Sequence, residues 1–300
     1  MNLAIAPSHC RTVFHADRLR IGHVRYPSLH PAQFAEGQTT GWLLVFPRTP
    51  LLVVDGASKA AVVDASTVRF YNRGQSFRRR SLCDAGARCD WFSYDRESVA
   101  EAVRPFDAAV DARHENPFAR SQACVDAALY FMQRRVFLHA SSGAADPLHV
   151  EEAMQALLAR AVAASYARRD APREPSGARR AQVEIVEEVE RTLAVRFREH
   201  LTLSEIAAQV GCSPFHLARI FRAHTGTSVH AHRLRLRLCA ALDEICDGSR
   251  ELTDIALELG FASHSHLTDS FRKVFGVPPR DVRRSRTDLR EVADRTAGAR

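Results

Sequence analysis

The chain has almost no lysine. Of 42 basic residues among 300, only Lys59 and Lys273 are lysines, and the rest are arginines. A GC-rich genome gives that bias by itself, so the arginines gain functional meaning only from where they stand; their planar fork suits phosphate and guanine. No apolar run reaches the ~18–20 residues of a membrane span, which excludes a transmembrane helix. The longest candidate, Val150 to Ser165, is interrupted by Glu151, Glu152 and Arg160. No basic segment leads into an apolar stretch and a small-residue cleavage site at the N-terminus, so the chain reads as cytoplasmic. The seven cysteines (10, 83, 89, 124, 212, 239, 246) are odd in number and contain no C-x-x-C pair. In that compartment they read as reduced, which sets aside a disulfide framework. A Gly-rich phosphate loop, G-x-S-x-G and H-E-x-x-H are all missing, and each absence weighs against an enzyme.

What is present fits two globular domains. Hydrophobic residues make up 46% and charged residues 26%, an ordinary balance, and the net charge is +7. Trp42–Phe46, Leu51–Val54, Ala61–Val63, Val68–Tyr71 and Cys89–Tyr94 are short apolar runs, separated by Pro47, Pro50 and turn signals such as Asp55-Gly56, Asn72-Arg73-Gly74 and Asp84-Ala85-Gly86. That spacing predicts a barrel or sandwich over residues 18–96. Residues 97–167 read as helical. Arg120 to His139 has no Gly or Pro, and Pro147 to Arg168 carries an apolar stripe at 150, 153, 154, 157, 158, 161 and 162 that must bury against the barrel, a partner helix or a second subunit. Residues 168–180 break all periodicity with two prolines, a glycine and mixed charge, and read as a linker.

Past the linker the sequence repeats itself. Leu203-Ser-Glu-Ile-Ala-Ala-Gln-Val-Gly211 aligns with Leu252-Thr-Asp-Ile-Ala-Leu-Glu-Leu-Gly260 at an offset of 49, whereas Leu217, Phe221, Arg222 and Gly226 align with Leu267, Phe271, Arg272 and Gly276 at an offset of 50. The second copy therefore has one extra residue after its turn. Each copy reads as a helix-turn-helix, over 203–224 and 252–275. Ser204 and Thr253 suit N-caps. Ala207 and Ala256 let two helices approach, and Gly211 and Gly260 supply a left-handed turn residue. Ser213 and Ser263 then cap second helices whose buried sides are Leu217, Ile220 and Phe221, and Leu267 and Phe271. A helix-turn-helix lays its second helix in the DNA major groove. The base-facing candidates are Ser213, Phe215, His216, Ala218 and Arg219 in the first copy, and His264, Ser265, His266, Thr268 and Asp269 in the second. Arg222, Arg272 and Lys273 are candidates for phosphate contact. Between the copies Ser228 to Cys246 reads as one helix of roughly 30 Å, close to the ~34 Å of one DNA turn.

These residues resemble the DNA-binding domain of the AraC/XylS family of bacterial transcription regulators over about 181–285. The stretches that carry the resemblance are Ile206-Ala207…Val210-Gly211…Leu217-Ala218-Arg219-Ile220-Phe221-Arg222, Ile255-Ala256…Leu259-Gly260-Phe261 and Phe271-Arg-Lys-Val-Phe-Gly-Val-Pro-Pro279. The resemblance implies a two-domain α+β chain. An N-terminal cupin-like barrel followed by helices (1–167) would sense an effector and dimerise, and an all-α domain (181–300) would bind DNA. It also implies a transcription regulator, an activator by preference, with double-stranded DNA, RNA polymerase and a small-molecule effector as partners. A homodimer is expected, with no catalytic residues, cofactor, metal or membrane association. Two positions depart from the family pattern. Asp269 stands where Arg is frequent; it suits a bond from cytosine N4, or a helical pair with Lys273 or Arg272. Cys212 stands where a larger apolar residue is commoner and reads as core.

Other groups have competing readings. His230-x-His232 and His264-x-His266 are i,i+2 pairs, which face apart on a helix and do not chelate. Histidines 9, 15, 23 and 30 lack the pairing of metal-binding cupin enzymes, so an enzymatic cupin is the weaker alternative. Cys83 and Cys89 invite a redox sensor, against which stands the plainer reading of barrel or loop thiols. Arg78-Arg79-Arg80 beside a turn reads as a solvated run or part of an anion site. Trp42, Phe70, Phe77 and Trp91 would line a ligand cavity or simply fill the barrel. The net charge is not concentrated in the C-terminal domain: residues 181–300 hold 18 basic and 17 acidic side chains. It is segregated within it, because Cys212 to Leu242 contains five arginines and no acid.

Overall fold

A computed structural model describes residues 10–27, 35–56, 60–142, 145–167, 177–248 and 250–284. His9, His30, Lys59, the linker positions 168–176 and the segment 285–300 lie outside the described residues. The chain divides into two compact units, one joining 1–168 with 272–300 and the other spanning 169–271.

The N-terminal unit is built on ten strands: β1 (Cys10–His15), β2 (Arg20–Tyr26), β3 (Ala35–Gln38), β4 (Trp42–Pro47), β5 (Leu51–Asp55), β6 (Ala61–Val63), β7 (Thr67–Tyr71), β8 (Ser76–Ser81), β9 (Ala87–Tyr94) and β10 (Gln122–Cys124). They form a six-stranded sheet in the order β1-β2-β9-β4-β7-β10 and a four-stranded sheet in the order β3-β8-β5-β6. All pairings are antiparallel. Side chains from both sheets meet in one core: Val24, Leu43, Val45, Tyr71, Cys89 and Trp91 come from the larger sheet, and Leu51, Val53, Val63 and Phe77 from the smaller. Period-two alternation sends these residues inward. The five apolar runs all became strands. The strands that sequence missed are β1, β2, β3, β8 and β10, whose half-polar composition carries a weaker alternation.

Three helices follow: α1 (Arg96–Val103), α2 (Ala127–Ala140) and α3 (Pro147–Ala167). The continuous helix expected from Arg120 is corrected here. Residues 122–124 pair with β7 as β10, and Asp126 starts α2 by accepting the Leu129 N–H at 2.7 Å. An unpaired sheet edge and an N-cap outcompete helix propensity at that end. The stripe on α3 buries Val150, Met154, Leu157, Leu158, Ala161 and Val162 against α2, α1 and β10. Of the three burial partners open to it, the partner helix is the main one. The Tyr94 hydroxyl donates to the Met154 carbonyl at 3.0 Å and pins α3 to β9. Arg134 on α2 donates to Asp90 on β9 at 2.6 Å, with both side chains fully buried.

Arg78, Arg79 and Arg80 do not flank a turn as a solvated run. They lie on β8, where Phe77 and Arg79 point inward and Arg78 outward. Cys89 is buried, and burial pushes its thiol up to about 11. Thiol chemistry needs the thiolate, so this environment is that of an inert core cysteine. Phe77 and Trp91 belong to the barrel core, Phe70 packs on Phe118, and the Trp42 indole donates to the Glu115 carbonyl at 3.3 Å.

The C-terminal helices are α4 (Gly177–Arg196), α5 (Leu203–Gln209), α6 (Pro214–Thr225), α7 (Val229–Asp247), α8 (Leu252–Glu258), α9 (His264–Phe275) and α10 (Pro279–Arg284). Helix α4 takes in residues 177–180, which sequence reads as linker. Its Val186, Val189 and Leu193 share a core with Ile206, Ala207, Leu217, Ile220, Phe221, Val229 and Leu236 from α5, α6 and α7. The single long connector is α7, with Ser228 as its N-cap. Among the described residues no helix is long and apolar enough to cross a membrane.

Candidate nucleic-acid interface

Both repeats are helix-turn-helix units, and the caps explain where each helix starts. The first is capped two residues earlier than Ser204. The Thr202 hydroxyl accepts the Glu205 N–H at 3.2 Å while the Glu205 carboxylate accepts the Thr202 N–H at 2.7 Å. This reciprocal capping box has the T-x-x-E signature in plain sight at 202–205. Ser204 and Thr253 sit inside the first turns of α5 and α8, and the residue in the cap position of α8 is Glu251, which makes no side-chain cap bond. The second helices start where sequence places them. Ser213 accepts the His216 N–H at 3.2 Å with Pro214 following, and Ser263 accepts the His266 N–H at 3.1 Å.

The turns show where the extra residue went. The Cys212 N–H returns to the Ala207 carbonyl and the Phe261 N–H to the Ala256 carbonyl, so Cys212 and Phe261 are equivalent. Ala262 is therefore the insertion before the Ser263 cap. Gly211 and Gly260 hold φ of +67° and +77°, a region in which only glycine is unstrained. Gly260 has a second constraint. A Cβ there would stand 2.4 Å from the Arg198 carbonyl oxygen and 2.6 Å from the Arg237 guanidinium.

Arg237, on α7, is the residue that sequence reasoning missed. Its buried guanidinium donates to the carbonyls of Phe197 (2.6 Å), Glu199 (2.8 Å) and Arg198 (3.3 Å) after α4, and to that of Gly260 (2.5 Å) in the second turn. One side chain thus ties the entrance of the first unit to the turn of the second. Nothing in the alternation Arg233-Leu-Arg-Leu-Arg237 distinguishes it from its neighbours. Arg233 does a smaller version of the same work by donating to the Leu201 carbonyl at 2.6 Å.

The second helix of each unit is divided into two faces. On α6, Leu217, Ile220 and Phe221 are buried, whereas Ala218, Arg219 and Arg222 are exposed and Phe215 is 81% exposed. Ser213 is exposed, but its hydroxyl is engaged in the cap. His216 is half-buried, with its Nδ1 3.3 Å from an Arg219 Nη. On α9, Leu267 and Phe271 are buried, while Ser265, Asp269, Arg272 and Lys273 are exposed and His264 is half-buried. His266 is exposed, yet its ring accepts the Ala262 N–H at 3.3 Å and packs edge-on to Phe261. The Thr268 hydroxyl oxygen is buried. Asp269 makes no ion pair with Arg272 or Lys273 among the described residues, so the helical-pair reading is corrected and its carboxylate stands alone on the surface. His230 is exposed and His232 buried, as i,i+2 residues on one helix must be.

Residues 206–285 match a family of helix-turn-helix domains. The transcriptional regulators GbdR and ArgR of Pseudomonas aeruginosa are 31% and 34% identical to this chain over 98 and 94 residues. The transcriptional activator RhaS of Klebsiella pneumoniae is 32% identical over 90 residues. The C-terminal domain belongs to the AraC/XylS family. The match to GbdR covers 33% of this chain and 27% of that protein, and the match to RhaS 30% and 32%, so the likeness is confined to the AraC-type domain. Among solved structures, an AraC-type DNA-binding domain from Chromobacterium violaceum is 30% identical, covering 38% of this chain and 99% of that one, with a TM-score of 0.32. ToxT of Vibrio cholerae is 11% identical over 89% of this chain and 97% of its own, with a TM-score of 0.38.

Proposed function

We propose that this protein is a sequence-specific DNA-binding transcription regulator, not an enzyme, whose AraC-type domain reads two adjacent major-groove segments. The observation that carries the reading is the division of α6 and α9 into a buried apolar face and an exposed face of polar and basic residues. Two such helices, joined through one 19-residue connector, suit two successive groove segments on one side of a duplex. Arg219 and Phe215 reach for base edges from α6, and Ser265 and Asp269 do so from α9. Arg222, Arg272 and Lys273 hold phosphates. Ser213, His266 and Thr268 act by shaping the turns and helix starts, since their polar atoms are engaged or buried. The N-terminal domain senses a small-molecule effector and dimerises. The chain works in the cytoplasm as an activator in contact with RNA polymerase, and GbdR and RhaS are named for regulation of the same kind.

The test is a mobility shift with the full chain on DNA flanking its own gene, at low and moderate salt. A specific complex that weakens steeply with salt is expected. No shift on any flanking segment at low salt contradicts the reading. Arg219→Ala should weaken specific binding far more than nonspecific binding; equal losses reassign Arg219 to a phosphate.

A further inference from the structure

The barrel interior holds a positive charge with no partner. Arg79 is 5% exposed, and neither its Nε nor one of its Nη atoms has a hydrogen-bond partner. Its guanidinium lies over the rings of Tyr26 at 4.7 Å and Phe77 at 5.2 Å. No carboxylate pairs with it among the described residues. Arg69, the other buried guanidinium of the barrel core, is different: it is held by Asp55 and by Gln122. An unpaired buried charge costs several kcal/mol. A fold that keeps one is organised around an anion it does not itself supply.

The free atoms say which anion. Nε and the adjacent Nη form the side-on edge of a guanidinium, two parallel donors that match the two oxygens of one carboxylate. The walls of the cavity that Arg79 lines include Val45, Leu51, Val53, Val63 and Phe77, all apolar. One fork among apolar walls suits a single carboxylate on an apolar body; a phosphate dianion needs more donors than this edge offers. The cavity measures about 10 Å³, room for about one water. Phe77 lines both this cavity and an outer cleft of about 460 Å³, and its ring occupies space that a side chain at Gly37 would block, since a Cβ there would lie 2.6 Å from it. Turning that ring joins the two spaces.

We propose that the N-terminal barrel binds a small apolar monocarboxylate, its carboxylate paired side-on with Arg79 and its body displacing Phe77. This rests on the effector-sensing part of the function proposed above and names the chemistry of the effector. The test is calorimetry and thermal unfolding of the full chain with benzoate and hexanoate, set against benzamide, hexanamide and nitrate. At a hundredfold excess over its Kd, a bound acid should raise the barrel's Tm by about 5 °C at one molecule per chain. The amides and nitrate should leave it unchanged. Arg79→Met should abolish the response while raising the ligand-free Tm, because it removes the unpaired charge. Arg79→Lys, which keeps charge but loses the fork, should weaken acid binding at least tenfold. No response to either acid, equal binding of the amides or nitrate, or an undiminished response in Arg79→Met or Arg79→Lys overturns the proposal. The readout uses no DNA. A chain that binds acids but shifts no DNA therefore sinks the regulator reading and not this site, and the reverse result sinks this site alone.

Discussion

Gly211 and Gly260 occupy the same place in the two helix-turn-helix copies, and their surroundings differ. Gly211 faces open space, so its demand is conformational only. Gly260 is buried against the Arg198 carbonyl and the Arg237 guanidinium, which also binds the Gly260 carbonyl. The starts of the copies differ in the opposite sense. The first helix of copy one has a full capping box, whereas that of copy two has no side-chain cap at all. Copy one is thus stabilised by its own local sequence. Copy two is held by a clamp from the connecting helix. Duplicated motifs with one hydrophobic plan need not share the source of their stability.

The largest effects should come from breaking the clamp. Gly260→Ala combines positive-φ strain with a steric clash and should destabilise the domain by ~3 kcal/mol or more, against about 1 kcal/mol for Gly211→Ala. Arg237→Met leaves four carbonyls without their donor and should also cost ~3 kcal/mol or more. Hydrogen exchange of α8 and α9 amides checks both, and equal losses at the two glycines would erase the proposed asymmetry. Next in size are base contacts. Arg219→Ala and Asp269→Ala should each relax preference at one base position, by ~1–3 kcal/mol, in different half-sites. Loss of preference at the same position by both variants would contradict separate readout. Caps come third. Thr202→Ala should cost ~1 kcal/mol, whereas Glu251→Ser, which adds a cap where none exists, should stabilise by ~0.5–1 kcal/mol. The Glu205 carboxyl is held below its ordinary value, first by the Thr202 N–H and then by the Thr202 hydroxyl. Its contribution is therefore complete above ~4.3 and fades as pH falls through its depressed value. Thr202→Ala should shrink that acid dependence, as urea melts at pH 7 and pH 3 will show. The smallest effects belong to phosphates. Arg222→Ala and Lys273→Ala should each reduce the salt slope of DNA binding by ~1 without altering the preferred sequence.

Sequence made the C-terminal architecture legible because every signal there was local. Two Gly-terminated apolar patterns and the Ser213-Pro214 cap define α5, α6, α8 and α9 to within a residue or two. Asp269 shows the limit of that reading: spacing permitted a pair with Lys273, and rotamers decided against it. Arg237 and Arg79 were illegible for a related reason. Each sits in a run of arginines, and only tertiary packing picks one member out for burial. In the barrel, Leu51–Val54 announces itself as a strand. Ser76–Ser81 does not, because three arginines mask the inward alternation of Phe77 and Arg79. The end of the expected helix at 120–139 was lost to β10, whose pairing with β7 spans more than fifty residues and leaves no trace in a local window.

The central claim is that two recognition helices on one domain read two groove segments. An unbiased selection from random-sequence duplex DNA by the full chain, with footprinting of the winners, tests it most directly. The account predicts two conserved blocks with centres about 10 base pairs apart, protected on one face of the duplex, with Arg219→Ala relaxing one block and Asp269→Ala the other. Enrichment of a single block insensitive to changes on α9, or no enrichment at all, would contradict it.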